Sequence, residues 1–215
     1  MGGGLGVFLS IAIVSIGGVL AAPWILEASA GRLSPETADM LSRISAGAAS
    51  RLPDLALLLA CAGGMAAAGL ADDLRPMRPW GKLTIQIALA ATLYAFMGAE
   101  PFRVTLFAGS APLLWFVLTV AWIVAVTNAF NFIDNMDGLC PVVSVCVAGL
   151  FGVLAVQTGQ FLVAALFFAA AGAMLGFLPF NLPPARMYLG DAGSQSVGFL
   201  VAAGTVLFTF YEADE

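Results

Sequence analysis

Seven apolar runs, each about as long as a bilayer crossing, dominate this chain: 5–26, 52–71, 83–99, 111–130, 139–157, 161–179 and 195–211. A run of about 17–25 such residues reads as a membrane-spanning helix, because hydrocarbon offers a backbone no outside hydrogen-bond partner. No segment alternates with period two well enough for a barrel strand. Charged residues make up only 10% of the chain, against about 25% in soluble domains. The expected fold class is therefore all-α: a polytopic membrane helix bundle of about seven transmembrane helices, forming a single domain over 1–215. The first run is a full span, and Gly2, Gly3 and Gly4 precede it without the basic region of a removable signal peptide.

Several function classes drop out on composition. The sequence has no histidine, which removes His-based triads and His-ligated metals. Its three cysteines, Cys61, Cys140 and Cys146, lie in or beside apolar runs at no zinc-like spacing and read as buried thiols. A net charge of −5 leaves no basic patch for nucleic acid. The longest polar stretch is 27–51. Within it Ser34, Pro35 and Glu36 form an N-cap, a first-turn proline and a first-turn acid. Leu33, Met40, Leu41 and Ile44 then fall near one face, which predicts a short helix lying on the membrane surface.

Alternating spans place three loops on one side of the membrane: 72–82, 131–138 and 180–194. Arg75, Arg78, Lys82 and Arg186 lie there, against Arg32, Arg43, Arg51 and Arg103 on the other side. Positive charge is thus evenly divided and does not set orientation. The acids weakly favour a cytoplasmic position for the three loops, with five there and eight opposite.

Those loops hold nearly all the unusual polar residues. A carboxylate at mid-bilayer costs about 2.5–3.5 kcal/mol on the insertion scale, so membrane acids sit at helix ends or line wet cavities and are functional candidates. Asp72, Asp73, Asp134, Asp137 and Asp191 all fall at span ends on one face. Asp134 and Asp137 are three residues apart, so one helical turn would put both on one side, with Asn128 and Asn131 in the same stripe. Carboxylates and amides without histidine make a hard-oxygen environment suited to Mg²⁺ or Mn²⁺. Lys82, Arg78 and Arg186 are candidates to hold a diphosphate. Gly190 and Gly193 flank Asp191 and allow close backbone approach. Acids, a metal and cations at a membrane face suggest phosphoryl transfer to a lipid. Singly, each feature also has a plain reading: Asp72 and Asp73 as a solvated helix end, Asp191 as a turn residue, Asn128 as a C-cap.

Three ordered blocks, GLADD with its downstream KLTIQ, NAFNFIDNMDGL and FNLPPARMYLGDAGS, carry a resemblance that covers essentially the whole chain. They resemble the polyprenyl-phosphate N-acetylhexosamine-1-phosphate transferases, also called glycosyltransferase family 4, which include phospho-MurNAc-pentapeptide translocase and GlcNAc-1-phosphate transferases. The resemblance implies transfer of a sugar-1-phosphate from a UDP-sugar to undecaprenyl or another polyprenyl phosphate, releasing UMP. It implies an inner-membrane enzyme of cell-envelope synthesis with cytoplasmic motif loops. By the same resemblance, Asp191 is a Mg²⁺ ligand and Asn131 approaches the metal. Asp72 and Asp73 are catalytic and handle the lipid phosphate. Lys82, Asn128, Asp134, Asp137, Asn181 and Arg186 are expected to bind substrate.

Members of that family usually carry more spans. Met1–Gly4 matches the start of their second span, and the chain ends after the span following GDAGS. The first span, the later helices and a His-bearing cytoplasmic loop are therefore expected to be missing. An inactive or split member, acting as a homodimer or with a complementing subunit, is an open alternative. A cation transporter is the remaining alternative; it requires acids deep within the spans.

Overall fold

A computed structural model of the chain describes residues 2–97 and 112–210. The expected loop at 100–110, with Arg103, lies outside the described residues. The fold is all-helical. In chain order it has α1 (Gly3–Ser29), a short 3₁₀ turn (Ala30–Arg32), α2 (Pro35–Ser50), α3 (Leu52–Leu74), α4 (Pro79–Met97), α5 (Pro112–Ile133), α6 (Leu139–Gln157), α7 (Phe161–Asn181) and α8 (Gly190–Phe210). Five of these, α1, α3, α5, α6 and α7, are long and apolar enough to cross a membrane. Helices α4 and α8 are the third and seventh expected spans. They have 19 and 21 residues, a crossing length, but carry polar residues in their first halves.

Helix α8 shows why hydropathy alone understates it. Every residue from Ala192 to Gly204 is buried, and the helix packs against α1, α3, α5, α6 and α7. A helix enclosed on all sides meets no lipid, so its polar residues need protein partners instead of a low polar content. Small residues permit this packing, as they do in membrane bundles generally. A Cβ on Gly4 of α1 would lie 2.2 Å from the amide nitrogen of Gly193, and one on Gly69 of α3 would lie 2.4 Å from the Asp191 carbonyl. The backbones of α1 and α3 therefore touch the start of α8 directly. Outward faces carry exposed Ile13, Trp24, Phe96, Leu113 and Leu150, the lipid-facing wall.

Helix α2 matches its sequence signature. Ser34 accepts a hydrogen bond from the Thr37 amide, with Pro35 in the first turn. Leu33, Leu41 and Ile44 are half-buried while Met40 stays exposed, so the helix presents one apolar side to α1, α3 and α7.

Two boundaries differ from expectation in ways that matter. α8 begins at Gly190, five residues early, so Asp191 sits on its first turn and not in a loop. α5 ends at Ile133, so Asp134 and Asp137 do not share a helical turn. Residues 134–138 form a tight turn closed by Gly138, whose φ of +78° suits glycine.

Candidate active site

The three motif blocks meet at the N-terminus of α8. The first N–H groups of a helix lack intrahelical partners and lie at its positive dipole end. Here a carboxylate from a distant element satisfies two of them. Asp73, at the end of α3, accepts from the Asp191 amide at 3.0 Å and from the Ala192 amide at 3.4 Å. Asp134, in the turn after α5, lies near the Gly190 amide, which favours its charged form. Gly190 has φ +69°, and a Cβ there would lie 2.7 Å from Asp73 Oδ2. Both conformation and space therefore require glycine at that position.

A second layer of side chains surrounds the Asp191 carboxylate. Lys82, in the first turn of α4, places its ammonium between Asp191 Oδ2 and Asp72 Oδ2. Asp72 also accepts from the Met77 amide, closing the α3–α4 turn. Asn131 of α5 donates Nδ2 to Asp191 Oδ1 at 2.8 Å and to Ser194 Oγ at 3.1 Å. These groups are partly sheltered, with side-chain exposures of 26% for Lys82, 14% for Asp72 and 22% for Asp191. Shielding of this degree strengthens the electrostatic attraction while leaving a route to solvent.

The other predicted site residues divide. Asn128 is close by on α5 and pairs with Gln86 of α4 at 2.6 Å. Asn181 is 3% exposed. Its Oδ1 accepts from the Gly138 amide at 2.9 Å and its Nδ2 donates to the Met187 carbonyl at 2.9 Å, so it braces the second loop against the third. Asp137 accepts from the Ala185 amide at 3.0 Å and fastens the same two loops from outside. Asp134 and Asp137 thus face different partners. Arg75, Arg78 and Arg186 are exposed, and their guanidinium groups make no ion pair or hydrogen bond among the described residues. Burial pushes the Asp134 carboxyl up to about 7, with the charges of Asp191 and Asp73 acting in the same direction.

The sequence assigns no role to three contributors, of which Gln86 and Ser194 lie inside the quoted motif blocks and Gln195 just beyond one. Gln195 of α8 donates to Asp191 Oδ2 at 3.0 Å, Gln86 contacts Gln195 at 3.4 Å, and Ser194 accepts from Asn131. A signal existed for the first: Gln195 lies four residues after Asp191, hence on the same helical face.

A divalent cation suits this donor set in one particular way. Among the described residues no three acidic, cysteine or histidine side chains form a metal cage. Mg²⁺, however, normally takes only one or two carboxylates, completed by water and phosphate oxygens. Asp191 and Asp72 provide that pair, and the Lys82 ammonium between them marks where positive charge is stabilised.

Comparison with known proteins places the chain among relatives by sequence. Residues 55–209 match the family model described as Glycosyl transferase family 4. A phospho-N-acetylmuramoyl-pentapeptide-transferase from Listeria innocua is 36% identical over 129 residues, covering 59% of this chain and 40% of the relative. A probable undecaprenyl-phosphate N-acetylglucosaminyl 1-phosphate transferase from Bacillus subtilis is 32% identical over 142 residues, covering 65% of this chain and 40% of the relative. A phospho-N-acetylmuramoyl-pentapeptide-transferase from Listeria welshimeri is 42% identical over 95 residues, or 43% of this chain and 29% of the relative. The chain thus matches well under half the length of these relatives. With a family match reaching from the start of α3 to the end of α8, this multi-pass membrane chain belongs to glycosyl transferase family 4.

Proposed function

We propose that this chain transfers a sugar-1-phosphate, of the N-acetylhexosamine type, from a UDP-sugar to a polyprenyl phosphate such as undecaprenyl phosphate, releasing UMP. The observation that carries this reading is the Asp191 centre, where two sheltered carboxylates share Lys82 on the same end of the bundle as three exposed arginines. The motif loops face the cytoplasm of a bacterial inner membrane in this reading, where the nucleotide-sugar is available. The name of the Bacillus subtilis relative, a probable undecaprenyl-phosphate N-acetylglucosaminyl 1-phosphate transferase, supports the lipid phosphate and the transferred sugar-1-phosphate.

Mg²⁺, or Mn²⁺ in its place, would be held by Asp191 and Asp72 with Asn131 beside them, and would stabilise charge on the diphosphate. Lys82 swings from the two carboxylates to a phosphate oxygen. Arg75, Arg78 and Arg186 bind the remaining anionic groups from the loop side. A phosphate monoester has a second pKa of about 6, so most lipid phosphate is already a dianion at neutral pH. It needs little help from an Asp base with an ordinary pKa of about 3.9. The lipid phosphate oxygen therefore attacks the β-phosphorus directly and in line. A new P–O bond forms to the lipid phosphate, the bond from the β-phosphorus to the bridging oxygen breaks, and that oxygen leaves with UMP. Asp73 holds the start of α8 in place, while Asn181 and Asp137 hold the two loops.

The test is UMP release by the detergent-purified chain with UDP-GlcNAc, undecaprenyl phosphate and Mg²⁺. Release that requires all three and is lost in Asp191→Ala is the expected result. No release from a folded sample, across several UDP-sugars, would overturn the proposal for this chain.

A further inference from the structure

Behind Asp191, on the side away from the loops, three amide side chains form a chain with a fixed direction. Asn128 Nδ2 donates to the Val124 carbonyl at 2.8 Å and to Gln86 Oε1 at 2.6 Å. Gln86 Nε2 in turn reaches Gln195 Oε1 at 3.4 Å, and it also faces Asn128 Oδ1 at 3.4 Å. Gln195 Nε2 then donates to Asp191 Oδ2 at 3.0 Å. A backbone carbonyl can only accept, so Val124 determines which end of Asn128 faces it. That orientation fixes Gln86, and Gln86 fixes Gln195. The N–H end of Gln195 is thereby committed to Asp191.

Both glutamines are 2% exposed. In so dry a setting a reversed amide would leave a donor and an acceptor unpaired, at about 1–3 kcal/mol for each buried group. The chain also ties together α4, α5 and α8, the helices that carry Lys82, Asn131 and Asp191. Lys82 and Gln195 share the same oxygen of Asp191. When the ammonium moves to a phosphate, the Gln195 N–H remains and keeps the carboxylate from rotating.

We propose that Gln195 and Gln86 are positioning residues that hold the Asp191 carboxylate in its cation-binding orientation. The inference rests on the reading of Asp191 as a metal ligand given above. Outer partners of metal ligands typically contribute about 10–100-fold in metal affinity or activity.

The experiment is Mn²⁺ binding to the full chain in detergent, read from the electron paramagnetic resonance signal of free Mn²⁺ with UDP-GlcNAc present. Wild type is compared with Gln195→Leu, Gln86→Leu, Asp191→Asn and Ser196→Ala. Ser196 is a buried hydroxyl on the same helix that, among the described residues, bonds only to the Ala192 and Gly193 carbonyls. Gln195→Leu is expected to weaken Mn²⁺ binding about ten-fold or more. Gln86→Leu, which does not touch Asp191, weakens it less but in the same direction. Ser196→Ala leaves affinity unchanged even where it lowers the melting temperature. Wild-type affinity in folded Gln195→Leu and Gln86→Leu, alongside loss in Asp191→Asn, would overturn the positioning role alone. Absence of Asp191-dependent binding in wild type would overturn the metal reading itself and the inference with it. Should Gln195→Leu not fold, Gln86→Leu decides.

Discussion

The two ends of the bundle carry similar numbers of charges but use them differently. On the α2 side, Arg43 pairs with Asp39 and Arg51 with Asp54, partners four and three residues apart. These side chains are 37–79% exposed. On the motif side, Lys82 and Asp191 are 109 residues apart, and Asp73 reaches α8 across 118. Local exposed pairs form within a helix whatever the tertiary fold does, and each contributes little. Long-range sheltered pairs exist only once the helices have packed. A membrane protein accepts the cost of sheltered charge where it performs chemistry, so this contrast separates the site from the rest of the surface.

The sharpest way to break the comparison is to neutralise one acid at each end. Asp191→Asn should reduce transfer about 100-fold or more, in line with the loss of a preorganised charged group from an active site. Asp54→Asn should leave the rate within a factor of two by the same reasoning, since it touches no reacting group. Comparable losses at both ends would erase the distinction.

Removing the shared cation comes next. Lys82→Met leaves Asp72 and Asp191 facing each other unneutralised, which should cost about 2–3 kcal/mol of stability in metal-free buffer. Thermal unfolding in detergent checks this, and added Mg²⁺ should recover part of the loss. Failure of Mg²⁺ to recover any of it would argue against a cation position there.

Packing provides a third test. Gly69→Ala forces a methyl group into the Asp191 backbone and should cost about 1–3 kcal/mol, as overpacking typically does. Gly149→Ala, where a Cβ meets nothing within 4 Å, should be neutral by the same melting assay.

A pH-dependent effect belongs to Asp134. Its folded carboxyl stands at about 7 against 3.8 unfolded, so the unfolded chain releases its proton first as pH rises. The stability contributed by the neutral form is complete below 3.8 and is lost progressively as pH climbs to about 7. Asp134→Asn should therefore flatten the fall in melting temperature across that window, measured with a chelator present. The smallest effect is expected at the opposite end: Asp39→Ala should change stability by less than about 0.5 kcal/mol.

Much of this was legible in the sequence, for reasons that particular residues make clear. Runs of apolar residues located the spans, and Ser34-Pro35-Glu36 located the start of α2, because those signals are local. The same locality explains what escaped. Asp191 read as a loop residue because its helix is capped by Asp73 from α3, a partner no nearby residue announces. Asp134 and Asp137 read as one helical face because nothing before Gly138 signals that α5 has ended at Ile133. Gln86, although inside the KLTIQ block, and Gln195 carry no legible role in the sequence, because a buried amide becomes informative only when its partner on another helix is known. The unusual polarity of α8, which lowers its hydropathy, turned out to be the mark of its central position.

The central proposal is that the Asp191 end performs phosphosugar transfer and the α2 end does not. It is tested most directly by following the label of a UDP-GlcNAc radiolabelled at its β-phosphate, with undecaprenyl phosphate and Mg²⁺. The account predicts that the label appears in the lipid product for wild type and Asp54→Asn, with unlabelled UMP released, and that Asp191→Asn labels the lipid about 100-fold less or worse. Label remaining with the nucleotide as UDP, or equal lipid labelling by Asp191→Asn, would contradict it.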